Sequence, residues 1–588
     1  MAGVGEQSPA TWNLVTFSEA WISSRDLLPD DGTALAKRRS IITRTTPGDA
    51  MKRREFLKSI TVLAAGSAFP APAIFSPARA QSRQETLLIV SESGPNNIDI
   101  HGVGTNVPGY EVSWNCYDRL ISHEMKDVNG TPYYDRDKFK GELAEDMNVG
   151  PMSATFKLKR NATFHDGTPV KAQDVKWSLD RAVTVGGFPT FQMGAGSLTK
   201  PEQFVVVDDY TIRVDFLRKD RLTVPDLAVI VPCVLNSGLV KKHATANDPW
   251  GLEYTKQNSA GSGAYQVVRW NAGTEVVMER NDKWVGGPLP KIKRIVWRMV
   301  PSAGNRRALL ERGDADISYE LPNKDFVELK SNPRLSIVST PFSNGIQYIG
   351  MNVSKPPFDN LKVRQAVACA IPYQKIMDAV YFGLSKPMYG APADKPTEVA
   401  WPQPHKFNTD IAKARQLMAE AGYPNGFETT LSFDLGFAGS NEPLCVLTQE
   451  SLAQIGIKVT INKIPGATWR TELNKKVLPL YTNVFSGWLD YPEYFFIWCY
   501  HGKNSIFNTM NYQSKTLDAQ VDSAVTAAAE GNKDIYEKDV KGFVETAFAD
   551  MPRIPLFQPY VNVAMQKNVS GYQYWFHRRL DYRAFAKG

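Results

Sequence analysis

The chain has 588 residues, is 43% hydrophobic and 11% aromatic, and carries a formal charge of +7. That length exceeds what one hydrophobic core accommodates and predicts two or three lobes. Residues 1–80 hold 10 Lys and Arg and 7 Asp and Glu, so the remainder has 58 against 54, a net +4. With no basic run, this balance argues against a nucleic-acid partner.

From Met51 the chain reads Lys52-Arg53-Arg54-Glu55-Phe56-Leu57-Lys58, then an apolar run, then Ala78-Arg79-Ala80. Paired arginines, a short hydrophobic segment and small residues two apart are the parts of an export signal. The segment resembles a twin-arginine signal, with Arg53 and Arg54 as the pair read by the translocase. Cleavage near Ala80 would release a soluble periplasmic protein beginning near Gln81. The apolar run from Ser59 to Phe69 is too short to span about 30 Å of hydrocarbon. No cysteine follows it until Cys116, against a lipid-modified terminus. Residues 1–50 show no sustained apolar period and read as a non-native or disordered leader, with Met51 as the expected start.

Beyond the signal, Leu87–Val90 and the alternating Ala154–Lys159 predict strands. Asp166-Gly167 supplies the positive φ of a tight turn, and Lys171–Val183 follows as a helix with Val175, Leu179 and Ala182 on one face. His165-Asp166, inside that turn, is read as structural, not as an acid–base pair. Phe204–Val207 and Thr211–Phe216 predict two strands. Val267–Trp270 and Glu275–Glu279 predict a hairpin, with a strand over Lys291–Met299. Past Tyr348 the pattern changes. Leu361–Ala370 and Ile376–Tyr381 predict helices. So does Asp410–Ala421, capped by Thr409 and ended by Gly422. Leu444–Gln454 predicts another helix, closing before the strand Ile457–Ile461. Helix, glycine, strand, repeated, describes an α/β lobe. Helices over Leu517–Ala529 and Asp534–Phe548 and a returning strand over Ile554–Met565 complete the series.

The five cysteines, Cys116, Cys233, Cys369, Cys445 and Cys499, include no Cys-x-x-Cys pair, so neither zinc nor an iron–sulfur cluster is expected. Sequence leaves any disulfide pairing open. No Gly-x-Ser-x-Gly elbow or phosphate-binding Gly-x-x-x-x-Gly-Lys loop occurs. His123-Glu124 begins like a zinc-protease helix, but Asp127 stands where the second histidine belongs. No catalytic residue, metal or other cofactor is therefore expected.

Seven landmarks occur in order. They are Gly94-Pro95-Asn96-Asn97-Ile98-Asp99; Glu142-Leu143-Ala144-Glu145; Phe164-His165-Asp166-Gly167 with Asp174-Val175; and Gly261-Ser262-Gly263-Ala264-Tyr265. After them come Arg280-Asn281-Asp282-Lys283-Trp284; Pro357-Phe358-Asp359 with Val363-Arg364-Gln365-Ala366; and Ala419-Glu420-Ala421-Gly422-Tyr423. Together they resemble the extracellular solute-binding proteins of family 5, over nearly the whole chain past the signal. The resemblance implies an α/β, two-lobed periplasmic-binding-protein fold (type II, cluster C-like) with mixed sheets and an inserted subdomain. One lobe would take 81–345 and the return at 557–588, with the insertion at about 116–259. The other would take 346–556. It also implies a monomer that captures a peptide or peptide-like solute and delivers it to an inner-membrane ABC permease and its ATPase. Opines, oligosaccharides, haem or nickel chelates, and a ligand-sensing role beside a receptor, are the alternatives. A periplasmic enzyme stands behind these.

The densest aromatic stretch runs from Tyr481 to Phe507. Within it, Gly487-Trp488-Leu489-Asp490-Tyr491-Pro492-Glu493 matches a family segment that reads Gly-Trp-x-x-Asp, shortened here by one residue. The resemblance implies that Asp490 pairs with a ligand ammonium and that Trp488 and Tyr491 offer flat contact surfaces. Glu493 is the substitute carboxylate if the register slips.

Overall fold

The structure, a computed structural model, describes residues 83–504 and 507–588. The expected leader and the export signal with Arg53 and Arg54 lie outside the described residues.

A twelve-stranded mixed sheet organises the chain. At one end, Glu428–Asp434 lies parallel between Lys458–Ile464 and Leu480–Ser486. At the other, Thr86–Ser91 lies parallel to Arg294–Met299 and to Ile317–Tyr319, and the hairpin Tyr265–Asn271/Glu275–Arg280 finishes the edge. The 14-residue strand Arg553–Gln566 joins the two halves. Its first residues pair with Gly345–Met351, and its last with Ile317–Tyr319 and Leu335–Pro341. The two halves are covered separately. A core containing Leu87, Val112, Trp297 and Phe576 fills one. Cores around Val363, Leu431 and Leu444, and around Tyr481, Phe496 and Phe543, fill the other.

Each element predicted from the sequence has a counterpart, although fewer than half of the observed helices and strands were predicted. The helix Leu361–Ala370 has the predicted limits, and the predicted helix over Lys171–Val183 spans Ala172–Thr184. The predicted turn has Gly167 at φ +86°, closed by a bond from the Phe164 amide to the Thr168 carbonyl. Three local expectations need correction. The helix Ile411–Glu420 is capped by Asp410, whose carboxylate accepts from the Lys413 amide at 2.8 Å. Thr409 is turned away, donating to the Ile371 carbonyl. The helix expected from Leu444 begins at Ala438 and runs through Pro443, because the buried contacts of Asn441 and Leu444 outweigh one lost backbone bond. The helix expected over Ile376–Tyr381 spans Tyr373–Ala379.

The hairpin Ile121–Val128/Thr131–Gly141 was not predicted. Its turn, Asn129-Gly130 with φ of +53° and +81°, carries the Asn-Gly signature of a type I′ connection. His123 is thus on a strand, with Nδ1 against the Asp135 carbonyl at 3.1 Å. A four-stranded antiparallel sheet, with Ser153–Leu158 and Thr211–Asp215 at its centre, follows the hairpin. All five cysteines are free and buried. Among the described residues no helix is long and apolar enough to cross a membrane, and no group of three or more His, Cys, Asp or Glu is placed to hold a metal ion.

Candidate functional site

The predicted binding segment leaves the sheet at the end of Leu480–Ser486 and enters the helix Pro492–Cys499. Pro492 suits the first helical position, where its missing N–H has no partner to lose. Gly487 is required sterically, since a Cβ there would sit 2.2 Å from the Tyr494 ring. Its amide donates to the Asn344 carbonyl at 2.9 Å, and the Asn344 side chain donates to the Leu489 carbonyl. Both bonds fix the segment to the connection between Leu335–Pro341 and Gly345–Met351.

The segment then divides its side chains between the two halves. Trp488, Leu489, Tyr491 and Tyr494 pack into the core that holds Leu87 and Phe576, whereas Phe495 and Phe496 belong to the core around Tyr481. The Trp488 ring stands edge-on to Tyr110 at 5.3 Å and Phe188 at 4.9 Å, and 6.0 Å from Phe576. It is 5% exposed, so it serves as a buried junction between elements from both ends of the chain.

Asp490 is partly buried. Its carbonyl accepts from Arg136 on the unpredicted hairpin. Burial pushes its carboxyl up to about 6, against the opposing pull of the Arg136 guanidinium and the Tyr134 hydroxyl. The Tyr134 hydroxyl lies 2.9 Å from the Ser343 hydroxyl, and the Ser343 amide donates to the Tyr574 hydroxyl at 2.9 Å. The carboxyl therefore stands among tyrosines as a group whose charge changes near neutrality, despite the shortened spacing behind Trp488.

The other two candidates are engaged within the protein. The Tyr491 hydroxyl donates to the Arg136 carbonyl at 3.1 Å, and its ring lies 4.6 Å from the Arg221 guanidinium. Glu493, 1% exposed, accepts from Arg221 at 2.6 Å on one oxygen and from the Tyr536 hydroxyl at 3.0 Å on the other. A carboxylate held on both oxygens has little left for a ligand. Further along, the Tyr494 hydroxyl donates to Gln192, and Phe191 stacks obliquely on Trp498 at 4.0 Å.

Tyr110, Tyr134, Arg136, Phe188, Asn344 and Phe576 are parts of the site that sequence reasoning missed. The Asn129-Gly130 turn could have exposed the hairpin bearing Tyr134 and Arg136. The others carry no local signal. His165 keeps the structural place predicted for it, with Nε2 3.0 Å from the Gly263 carbonyl, and burial holds its imidazole down to about 4.

The model of the bacterial extracellular solute-binding proteins, family 5 (middle region), matches residues 138–507. The chain is 30% identical over 456 residues to a glutathione-binding protein, GsiB, of Pectobacterium atrosepticum, a match covering 75% of this chain and 84% of that one. It is 27% identical over 509 residues to a probable D,D-dipeptide-binding periplasmic protein, DdpA, of Escherichia coli, covering 85% and 93%. Among solved structures, a dipeptide-binding protein of Pseudoalteromonas in complex with Met-Leu superposes with a TM-score of 0.71 at 21% identity, over 86% of this chain and 100% of that one. The two-lobed periplasmic-binding-protein architecture is shared with it. The chain belongs to the bacterial extracellular solute-binding proteins of family 5.

Proposed function

We propose that this chain is the solute-capturing component of an ABC importer, and that it takes a peptide or peptide-like solute through the ammonium group of that solute. The observation that carries this reading is the Asp490 carboxyl, held beside Trp488 with a titration point of about 6. A ligand ammonium would stabilise its charged form by a charge-assisted hydrogen bond in a partly desolvated setting. The relatives named for binding glutathione and D,D-dipeptides support the same class.

In this reading the lobes are 81–345 with 557–588, and 346–556, with an inserted subdomain at about 116–259. The separate cores on either side of Arg553–Gln566 support that division. Asp490 and Trp488 touch the solute, Tyr491 borders it, and Glu493 secures the wall. The protein acts as a monomer and performs no chemistry. Solute bridging two lobes shifts the population toward the closed form, which docks on the permease. Residues 51–80 act as a twin-arginine signal through Arg53 and Arg54, and the cleaved protein works in the periplasm.

Titration calorimetry with a panel of di- and tripeptides and their N-acetylated counterparts tests the reading. Binding of free peptides, lost on acetylation and in Asp490→Ala, is the expected result. Equal affinity for acetylated and free peptides would overturn it. Mass determination of the exported protein tests cleavage near Ala80.

A further inference from the structure

A cavity of about 370 Å³ lies in the half that contains Thr86–Ser91 and shares no residue with the Asp490 site. Its volume is on the scale of small-molecule sites. Four pieces of chain form its wall: the turn holding His165, the start of the helix Ser237–Lys241, the loop before Gly261, and the strand Tyr265–Asn271. That strand is the edge of the large sheet. Gly261 and Gly263 join the last two pieces and press on Cys116. A Cβ would lie 1.9 Å from its carbonyl oxygen at Gly261, and 2.4 Å from its carbonyl carbon at Gly263. The His165 amide donates to the Gly261 carbonyl at 3.0 Å, and the Asn236 amide to the Ala260 carbonyl at 2.8 Å. The wall is therefore fixed before any solute arrives.

Three residues of this wall each carry a buried polar atom with no hydrogen-bond partner among the described residues: His165 Nδ1, Ser259 Oγ and Trp270 Nε1. Such atoms are uncommon in folded proteins, and three on one cavity call for a partner from outside the chain. Their chemistry is set. His165 Nε2 lies 3.0 Å from the Gly263 carbonyl, which only accepts, so Nε2 keeps the ring proton and Nδ1 is an acceptor. Burial keeps that ring neutral. The Trp270 indole only donates, and the Ser259 hydroxyl does both. The cavity leaves room for the rotamer change that presents this hydroxyl to a solute. Gln257 and Gln266, exposed on the same wall, add two neutral amides. The charged side chains there are already engaged. Asp166 accepts from the Thr168 hydroxyl at 2.6 Å on one oxygen and from Asn236 at 2.8 Å on the other, and Arg269 donates to Glu275 at 2.9 Å. An ionic solute finds no free counter-charge.

We propose that this cavity is a saccharide site, which takes a neutral mono- or disaccharide independently of the peptide site. A sugar hydroxyl both donates and accepts, so neighbouring hydroxyls can accept from Trp270 and donate to His165, while Ser259 and the two glutamines bond others. The C–H faces of a pyranose suit the Phe164, Leu239 and Trp270 side chains of the same wall. The inference stands or falls without the reading of Asp490.

Calorimetry and saturation-transfer NMR of the purified protein with glucose, maltose, N-acetylglucosamine and glucose 6-phosphate provide the test. At least one neutral sugar should bind at millimolar concentration, and glucose 6-phosphate should bind no more tightly than glucose. Trp270→Phe should weaken the sugar at least tenfold, and Gln266→Ala at least threefold, with Ala-Leu binding within twofold of wild type. Ser259→Ala removes an atom that has no partner to lose in the free protein, so it should weaken the sugar and leave Tm unchanged. Asp490→Ala should leave sugar affinity as it was. No sugar binding at millimolar concentration overturns the proposal. So does sugar binding that Asp490→Ala abolishes, or that Trp270→Phe and Gln266→Ala leave intact. Tighter binding of glucose 6-phosphate than of glucose overturns it as well.

Discussion

Arg221 and Glu493 form a 2.6 Å ion pair across the two halves of the molecule, with the Tyr536 hydroxyl accepting from Arg221 and donating to Glu493. The carboxylate is almost wholly buried, so the pair is asymmetric in its consequences. Removing the arginine strands a buried charge, which costs about 3 kcal/mol or more. Arg221→Met should lower stability by that amount in urea titration. Arg221→Met combined with Glu493→Gln should recover more than half of it, because the stranded charge is gone. A loss under about 1 kcal/mol in the single variant would show that the pair is dispensable.

If Asp490 takes the solute ammonium as proposed, the solute affinity acquires a defined pH dependence. With its free carboxyl titrating at about 6, the group is mostly charged at pH 7 and mostly neutral at pH 5. Binding an ammonium requires the charged form and lowers its pKa. Affinity should therefore peak near pH 7, fall toward tenfold per unit below about pH 6, where peptide amines stay protonated, and fall again above about pH 8, where the amine loses its proton. Asp490→Ala should weaken binding by at least about 2 kcal/mol at pH 7, the scale of a broken buried charge-assisted bond. A flat profile from pH 5 to 8 would rule the carboxylate out.

Gly487 sets the position of the whole segment. Its missing Cβ leaves room for the Tyr494 ring, which is buried and tied through its hydroxyl to Gln192. The ring cannot retreat, so Gly487→Ala should behave as an overpacking change and lower stability by about 2 kcal/mol. Because the segment must shift, peptide affinity should drop as well. Thermal unfolding and calorimetry on the same preparation would measure both.

Glu111 makes stability depend on pH in the opposite sense to an ordinary paired carboxylate. It is fully buried, accepts from the Tyr319 and Tyr582 hydroxyls, and burial pushes its carboxyl up to about 7. A carboxyl raised in the folded state contributes stability that is fully present below its unfolded value, near 4.3, and lost as pH rises through 7. Glu111→Gln keeps a donor and an acceptor for the two tyrosines without the titration. Wild type should lose stability relative to this variant between pH 5 and 7 and run parallel above 8. Parallel curves across the whole range would contradict the assignment.

The legibility of this sequence followed the range of its interactions. The helix Leu361–Ala370 and the strand Thr86–Ser91 are set by neighbours in the chain, and periodicity located both. The change of texture at Tyr348 fell inside the strand Gly345–Met351, where the sheet passes from one half to the other. That this strand pairs with Leu480–Ser486 and Arg553–Gln566 could not be read, since register is decided by side-chain packing between distant segments. The site divides in the same way. Trp488 and Asp490 lie in one conspicuous aromatic stretch. The rings around Trp488 come from Tyr110, Phe188 and Phe576, each ordinary in its own local sequence, and the arginine at Asp490 comes from Arg136 on the unpredicted hairpin. Glu493 was the substitute carboxylate for Asp490, and its bonds to Arg221, more than two hundred residues earlier, and to Tyr536 are what engage it within the protein.

The strand Arg553–Gln566 also fixes the order in which the molecule is completed during synthesis. Thr86–Ser91, the earliest strand described, borders Ile317–Tyr319, whose other neighbour is this late strand. Tyr582 then donates to Asn115, and Lys587, the penultimate residue, seals Asp316 at 2.9 Å. The central sheet has no middle until Arg553–Gln566 is laid between Gly345–Met351 and Ile317–Tyr319. Ile317–Tyr319 and Gly345–Met351, made roughly two hundred residues earlier, each keep one unpaired edge until that strand arrives.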